Sequence, residues 1–169
     1  EDTRTRDQFS IRLIKDRKLQ TTYNLKNGVL FLNGEFWGMY ALTEKFSDQF
    51  FESHYGIPKD DILFIKEQDI KEGTPEEYTE LMNFMDLYAK KDLSDSNNYQ
   101  EVCNVIDCDS MMEHYATNIY IVTYDWPNHN FGLWKYNGNK IDGNLYSDGK
   151  WRFMTYDLDY TIGKTYKSF

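Results

Sequence analysis

Asp125-Trp126-Pro127-Asn128-His129-Asn130 and Tyr156-Asp157-Leu158-Asp159-Tyr160-Thr161-Ile162-Gly163 are the segments on which the fold turns. Residues 109–124, just upstream, predict a helix. Asp109 or Ser110 suits the N-cap, and Glu113 stands three after Ser110, as in a capping box. Apolar residues then occur on nearly every side, as in a helix buried in a core. The helix is expected to run directly into Asp125, and Pro127 to break it into a loop. Phe131–Tyr136 and Trp151–Tyr156 are rich in strand formers. Residues 137–150, between them, are rich in Gly, Asn and Asp and read as a hairpin loop.

Helix, Asp, an Asn five residues later, hairpin, and an Asp at a strand end is the order in which protein kinases set out their chemistry. The first Asp lies beside the hydroxyl to be phosphorylated. The Asn and the last Asp hold magnesium. Taken singly, each residue has a plain alternative: loop Asp and Asn are commonly turn or cap residues, Asp157 and Asp159 included. The ordered set is what points to phosphoryl transfer. That chemistry also needs a lysine to grip phosphates and a glutamate to orient it. Lys66 ends an apolar strand and Glu44 follows a hairpin strand. Lys45 rivals Lys66, and a solvated strand end is the plain alternative for either. Asn33-Gly34-Glu35-Phe36-Trp37-Gly38 is a weak Gly-rich element, read equally well as a structural turn. His129 lies in the candidate loop, to touch a nucleotide or only to brace the loop.

Elsewhere the periodicity predicts a helix over residues 3–18, with Phe9, Leu13 and Ile14 on one side. Residues 29–44 read as a hairpin: Val29–Leu32, a strong Asn33-Gly34 turn, then Trp37–Leu42. Ser47 caps a short helix carrying Phe50 and Phe51 and ending at Gly56. Asp61–Lys66 is a strand. Thr74-Pro75-Glu76-Glu77 opens a helix whose stripe of Tyr78, Leu81, Met82, Met85, Tyr88 and Ala89 belongs to a core. A further helix is expected over about residues 98–107. Cys103 and Cys108 lack metal-site spacing and read as two buried thiols, which leaves the compartment open.

The chain of 169 residues is long enough for one domain, or for most of a two-lobed one. Its net charge of -9 argues against non-specific binding to nucleic acid or anionic membranes, because no basic stripe exists to release counterions. No apolar run approaches the roughly 20 residues that span a bilayer. No signal peptide is visible, and the abrupt start at Glu1-Asp2-Thr3 reads as a fragment of a longer protein.

Phe31-Leu32-Asn33-Gly34-Glu35-Phe36-Trp37-Gly38-Met39-Tyr40, with Glu44, resembles the signature of the spore-coat protein H (CotH) kinase family. The similarity continues through Ser53–Ile57, Ile65-Lys66, Val105–Ser110, Asp125-Trp126-Pro127 with Asn130, and Trp151–Asp159, so it covers nearly the whole chain. It implies an α+β, atypical protein-kinase-like fold. An N-terminal hairpin and strand part, about residues 1–70, would lie over a more helical part, residues 71–169. The implied activity is transfer of the γ-phosphate of ATP, with Mg²⁺ or Mn²⁺, to Ser hydroxyls of spore-coat or other secreted and surface proteins. Nucleic acid and membrane insertion are not expected. Asp125 would be the catalytic residue, Asn130, Asp157 and Asp159 metal ligands, and Lys66 with Glu44 the phosphate-side pair. The competing reading is a secreted binding module for carbohydrate or protein, since 14 Tyr, 11 Phe and 4 Trp suit stacking and contact. There the Asp pair would hold a structural calcium. A coat or scaffold subunit is a third reading.

Overall fold

The computed structural model describes residues 5–15, 17, 20–67 and 69–162. Residues 3, 4, 16 and 18 of the first expected helix, and Gly163, lie outside them. Among the described residues the fold is mixed α+β, with five helices and two antiparallel sheets. In chain order the elements are α1 (Arg6–Ile14), β1 (Leu25–Leu32), β2 (Glu35–Thr43), α2 (Asp48–Tyr55), β3 (Ile62–Lys66) and β4 (Asp69–Glu72). Then come α3 (Pro75–Tyr88), α4 (Ser96–Val105), α5 (Cys108–Tyr120), β5 (Gly132–Tyr136) and β6 (Arg152–Met154).

The centre is a sheet in the order β4-β3-β5-β6. β3 pairs along its whole length with β5, so strands from both halves of the chain share one sheet. Side chains of a strand alternate between faces, and here both faces are covered. Ile62, Phe64, Trp134, Tyr136 and Met154 pack with Phe50, Phe51 and Ile57 of the α2 region. Leu63, Ile65, Leu133 and Phe153 pack with Leu81 of α3 and with Val102 and Ile106 at the end of α4. Double coverage explains why Ile62–Ile65 is an unbroken apolar run rather than an alternating one.

β1 and β2 form a separate ribbon, longer than expected at its first strand. Leu32 pairs with Glu35 across Asn33-Gly34, both at positive φ, as a two-residue hairpin turn requires. The ladder slips after Leu30, and Gly38 takes up a φ of 113° at the bulge. β4 was not expected. It is four half-exposed residues too polar for a strand pattern, yet it pairs with β3.

Caps at two helix starts are as the sequence predicts. The Ser47 hydroxyl accepts from the Phe50 amide, and Thr74 with Glu77 forms a reciprocal capping box. Three expectations are corrected. In α1, Ile11 and Ile14 are buried against Ile121 and Leu158, while Phe9 and Leu13 stand exposed in a groove beside Tyr120 and Ile162. In α5 the N-cap is Asp107, which accepts from the Ser110 amide. That helix is not wrapped in apolar core. Its buried face is mainly polar, with Ser110, His114, Thr117 and Asn118, because the adjoining end of β6 offers hydrogen bonds. Finally, Cys103 and Cys108 are not free thiols. They form a disulfide that staples the end of α4 to the start of α5.

Candidate functional site

The sequence predicts that α5 delivers Asp125 directly, but the helix stops at Tyr120. A short irregular segment intervenes, in which Val122 takes a positive φ of 54°. It is pinned to the second loop by two backbone bonds, Tyr124 N–H to Tyr160 O and Ile162 N–H to Ile121 O. The two motif segments therefore lie side by side.

Asn130 joins them. Its amide donates to Asp125 Oδ2 at 3.0 Å and to the Asp157 carbonyl at 3.4 Å. Asn130 and Asp157 both have left-handed backbone, φ 61° and 54°. Non-glycine residues in that region carry strain of roughly 1–3 kcal/mol, which gathers at functional sites. Among the described residues, Asp125 Oδ1 is buried without a hydrogen-bond partner. A carboxylate oxygen can accept a further hydrogen bond there.

Asp125 is braced through its neighbour. The Trp126 indole donates to His114 Nε2 at 2.9 Å, so the ring proton lies on Nδ1, facing Thr155 Oγ1 at 2.8 Å. Thr155 passes the chain on to Gln20. Burial pushes the His114 pKa down to about 4, and the ring is neutral at pH 7.

A cleft of about 560 Å³ opens beside β3 and β4, lined by Glu44, Lys45, Lys66, Lys71, Tyr156 and Asp157 among others. The size suits a nucleotide. The Lys66 ammonium lies 4.4 Å from the centre of the Tyr156 ring, and its charge favours the Asp157 carboxylate. Glu44 reaches the same cleft without an ion pair to Lys66. It accepts from the Asn24 backbone and side chain and lies 3.2 Å from His54 Nε2. Desolvation pushes its carboxyl up, but the bonds from Asn24 and His54 hold it below the usual range. Lys45 also lines the cleft. His129 is exposed, and its amide caps the Asp125 carbonyl.

Asp157 is the most perturbed carboxyl of the site, pushed up to about 6. Desolvation is the main cause, followed by the negative charges of Asp159, Asp7 and Asp125, with Lys66 opposing. Among the described residues no three His, Cys, Asp or Glu side chains are gathered as a self-sufficient metal cage. Magnesium does not need one, since it is typically held by one or two carboxylates plus substrate phosphates. Hard oxygen donors crowded with like charge fit such a cation, which would relieve the repulsion on Asp157.

Sequence reasoning missed Lys71, Asp7 and Tyr23. Lys71 lies on the unexpected β4. Asp7 and Tyr23 meet Asp157 and Leu158 only through the tertiary fold, so no local pattern marks them.

The architecture is mixed α+β, with an acidic loop pair beside a lysine-lined cleft. A family model described as CotH kinase protein matches residues 1–168, and the chain belongs to that family. No curated protein matches it. Membership implies kinase activity in general, with the nucleotide, divalent metal and protein substrate that go with it.

Proposed function

We propose that this domain is an atypical protein kinase that moves the γ-phosphate of ATP to Ser hydroxyls of secreted or surface proteins, spore-coat proteins among them. The observation that carries the reading is the Asp125–Asn130–Asp157 junction. It ties Asp125 through Oδ2 to the acidic loop that borders the lysine-lined cleft, and leaves Oδ1 with no hydrogen-bond partner among the described residues.

In this reading the triphosphate lies along Lys66, with Lys71 or Lys45 at its other side, and Glu44 shapes the cleft wall. Asn130, Asp157 and Asp159 would hold Mg²⁺ or Mn²⁺, which would neutralise phosphate charge. Asp125 orients the Ser hydroxyl and takes its proton late. The Ser oxygen bonds to the γ-phosphorus as the bond to the β-phosphate bridge oxygen breaks, and ADP leaves. The kinase-like two-part layout follows from the same reading, with the ribbon and β3–β4 forming the nucleotide side. The Cys103–Cys108 disulfide supports an extracellular or cell-surface location, because such bonds persist in oxidising compartments.

The test is labelled phosphate transfer to a Ser-rich acceptor, run beside a separate ATP-binding assay. Asp125→Ala is expected to bind ATP as the parent does while transfer falls roughly 10²-fold or more, the range for a positioned base. Equal transfer by the variant and the parent would reduce Asp125 to a loop residue. The binding-module reading has one observation in its favour, the exposed Phe31, Phe36, Trp37 and Tyr40 of the ribbon. It predicts metal uptake with no nucleotide binding in the same assay.

A further inference from the structure

The first turns of α1 grip the Asp157–Ile162 turn from a position about 150 residues earlier in the chain. Asp7 Oδ1 accepts from the Leu158 amide at 2.8 Å, and Asp7 Oδ2 accepts from the Tyr23 hydroxyl at 3.0 Å. The Tyr23 oxygen in turn accepts from the Asp157 amide at 3.1 Å. One carboxylate thus satisfies two successive amides, one directly and one through a phenol. Arg6 donates to the carbonyls of Asp159 and Ile162, and the Ser10 hydroxyl meets that of Thr161. Ile11 and Ile14 pack against Leu158 below.

These contacts bear on the residue that most needs holding. Asp157 has a left-handed backbone, which Asp tolerates better than most residues but still at a cost, and the bond from its amide to Tyr23 helps hold that conformation. Tyr23 also lines the cleft that Asp157 faces, so the relay ends at the site itself. A helix placed merely to cover the loop would need only the two isoleucines. The directed bonds from Arg6, Asp7 and Tyr23 serve orientation.

We infer that Asp7 and Tyr23 are positioning residues for the metal: they hold Asp157 in the conformation in which its carboxylate meets the divalent cation. This rests on the reading of Asp157 as a metal ligand. It adds that α1, which carries no group of the chemistry, is part of the site.

The experiment follows Mn²⁺ uptake by its electron paramagnetic resonance signal, with a non-hydrolysable ATP analogue present. The parent is compared with Tyr23→Phe, Asp7→Asn and Asp157→Ala, and melting temperature is recorded for each. Tyr23→Phe removes one oxygen and keeps the ring. Asp7→Asn keeps the shape but presents an amide donor to one of two donors already there. Both are expected to weaken Mn²⁺ binding roughly 10- to 100-fold, the range seen when the partners of metal ligands are lost. Turnover at saturating metal should largely recover, a split that simple loss of fold does not produce. If Asp157→Ala loses the metal while Tyr23→Phe and Asp7→Asn bind as the parent does, the inference fails and the kinase reading stands. If the parent itself takes up no Mn²⁺, the metal reading fails and this inference with it. Should Asp7→Asn unfold, Tyr23→Phe decides.

Discussion

Val29-Leu30-Phe31-Leu32 and Ile62-Leu63-Phe64-Ile65 are nearly the same words, placed in opposite environments. The first four side chains, on β1, are 39–61% exposed. The second four, on β3, are 2–6% exposed. β3 has a paired strand on each edge and helices over both faces, whereas among the described residues β1 pairs only with β2, in a ribbon. Apolar composition therefore marks a segment as a strand but does not say whether anything covers it. A two-stranded ribbon is marginal alone, so its form rests on the turn and the ladder rather than on burial.

The largest effect should come from the covered sheet. Trp134 is fully buried and stacks on Phe51 and Tyr55. Trp134→Ala is expected to cost about 3–5 kcal/mol in denaturant unfolding. The matching ribbon change, Phe31→Ala, gives up an exposed contact with Phe36 and should cost about 1 kcal/mol or less. Equal costs would break the contrast.

A pH series sharpens it next. His114, beneath the end of β6, has a pKa of about 4 in the fold against 6.5 for the free side chain. The fold favours the neutral ring, so the native state binds fewer protons than the unfolded one below pH 6.5. Stability should thus be whole above that pH and fall as pH drops from 6.5 towards 4. The loss reaches about 3 kcal/mol at the bottom of the window. Urea midpoints for the parent and His114→Gln across that range check this, since the variant should lack this share of the slope. Ribbon melting should track neither change.

Smaller again is the staple. Reducing Cys103–Cys108 opens a short loop and should cost about 2 kcal/mol. It should act on the α4–α5 junction and leave the ribbon untouched, as amide exchange with and without reductant would reveal. Metal supplies the mildest probe. If Asp157 holds Mg²⁺ as proposed, it does so as a carboxylate, and Mg²⁺-dependent nucleotide binding is expected to strengthen as pH rises through about 6. A pH-independent affinity would detach Asp157 from the cation.

Much of this was legible. Asn33-Gly34 announced its turn, Thr74-Pro75 its helix, and the apolar Ile62–Ile65 run its strand, because each rests on local chemistry. The set Asp125, Asn130 and Asp157 is brought together as its order suggests. What stayed hidden is non-local. Pairing of β3 with β5 joins residues about 70 apart. β4 borrows its strand form from β3, and α5 buries polar groups because the Phe153 amide donates to Ser110 and the Thr155 hydroxyl pairs with His114. The disulfide depends on how α4 meets α5, which two cysteines five apart do not declare.

The grip of α1 on the Asp157 loop has a consequence in time as well as space. Leu158 and its hydrogen-bond partner are separated by 151 positions. Contacts of such long range form late, after the loop between them has been closed at an entropic cost. As the chain leaves the ribosome, the sheet core around β3 and α2 has its early members in hand long before residue 157 is made. The acidic loop takes its working shape only when nearly the whole of this sequence has been threaded out and its two distant parts have met. Until both ends of the sequence have been made and have met, the Asp157 loop lacks the bonds that hold it.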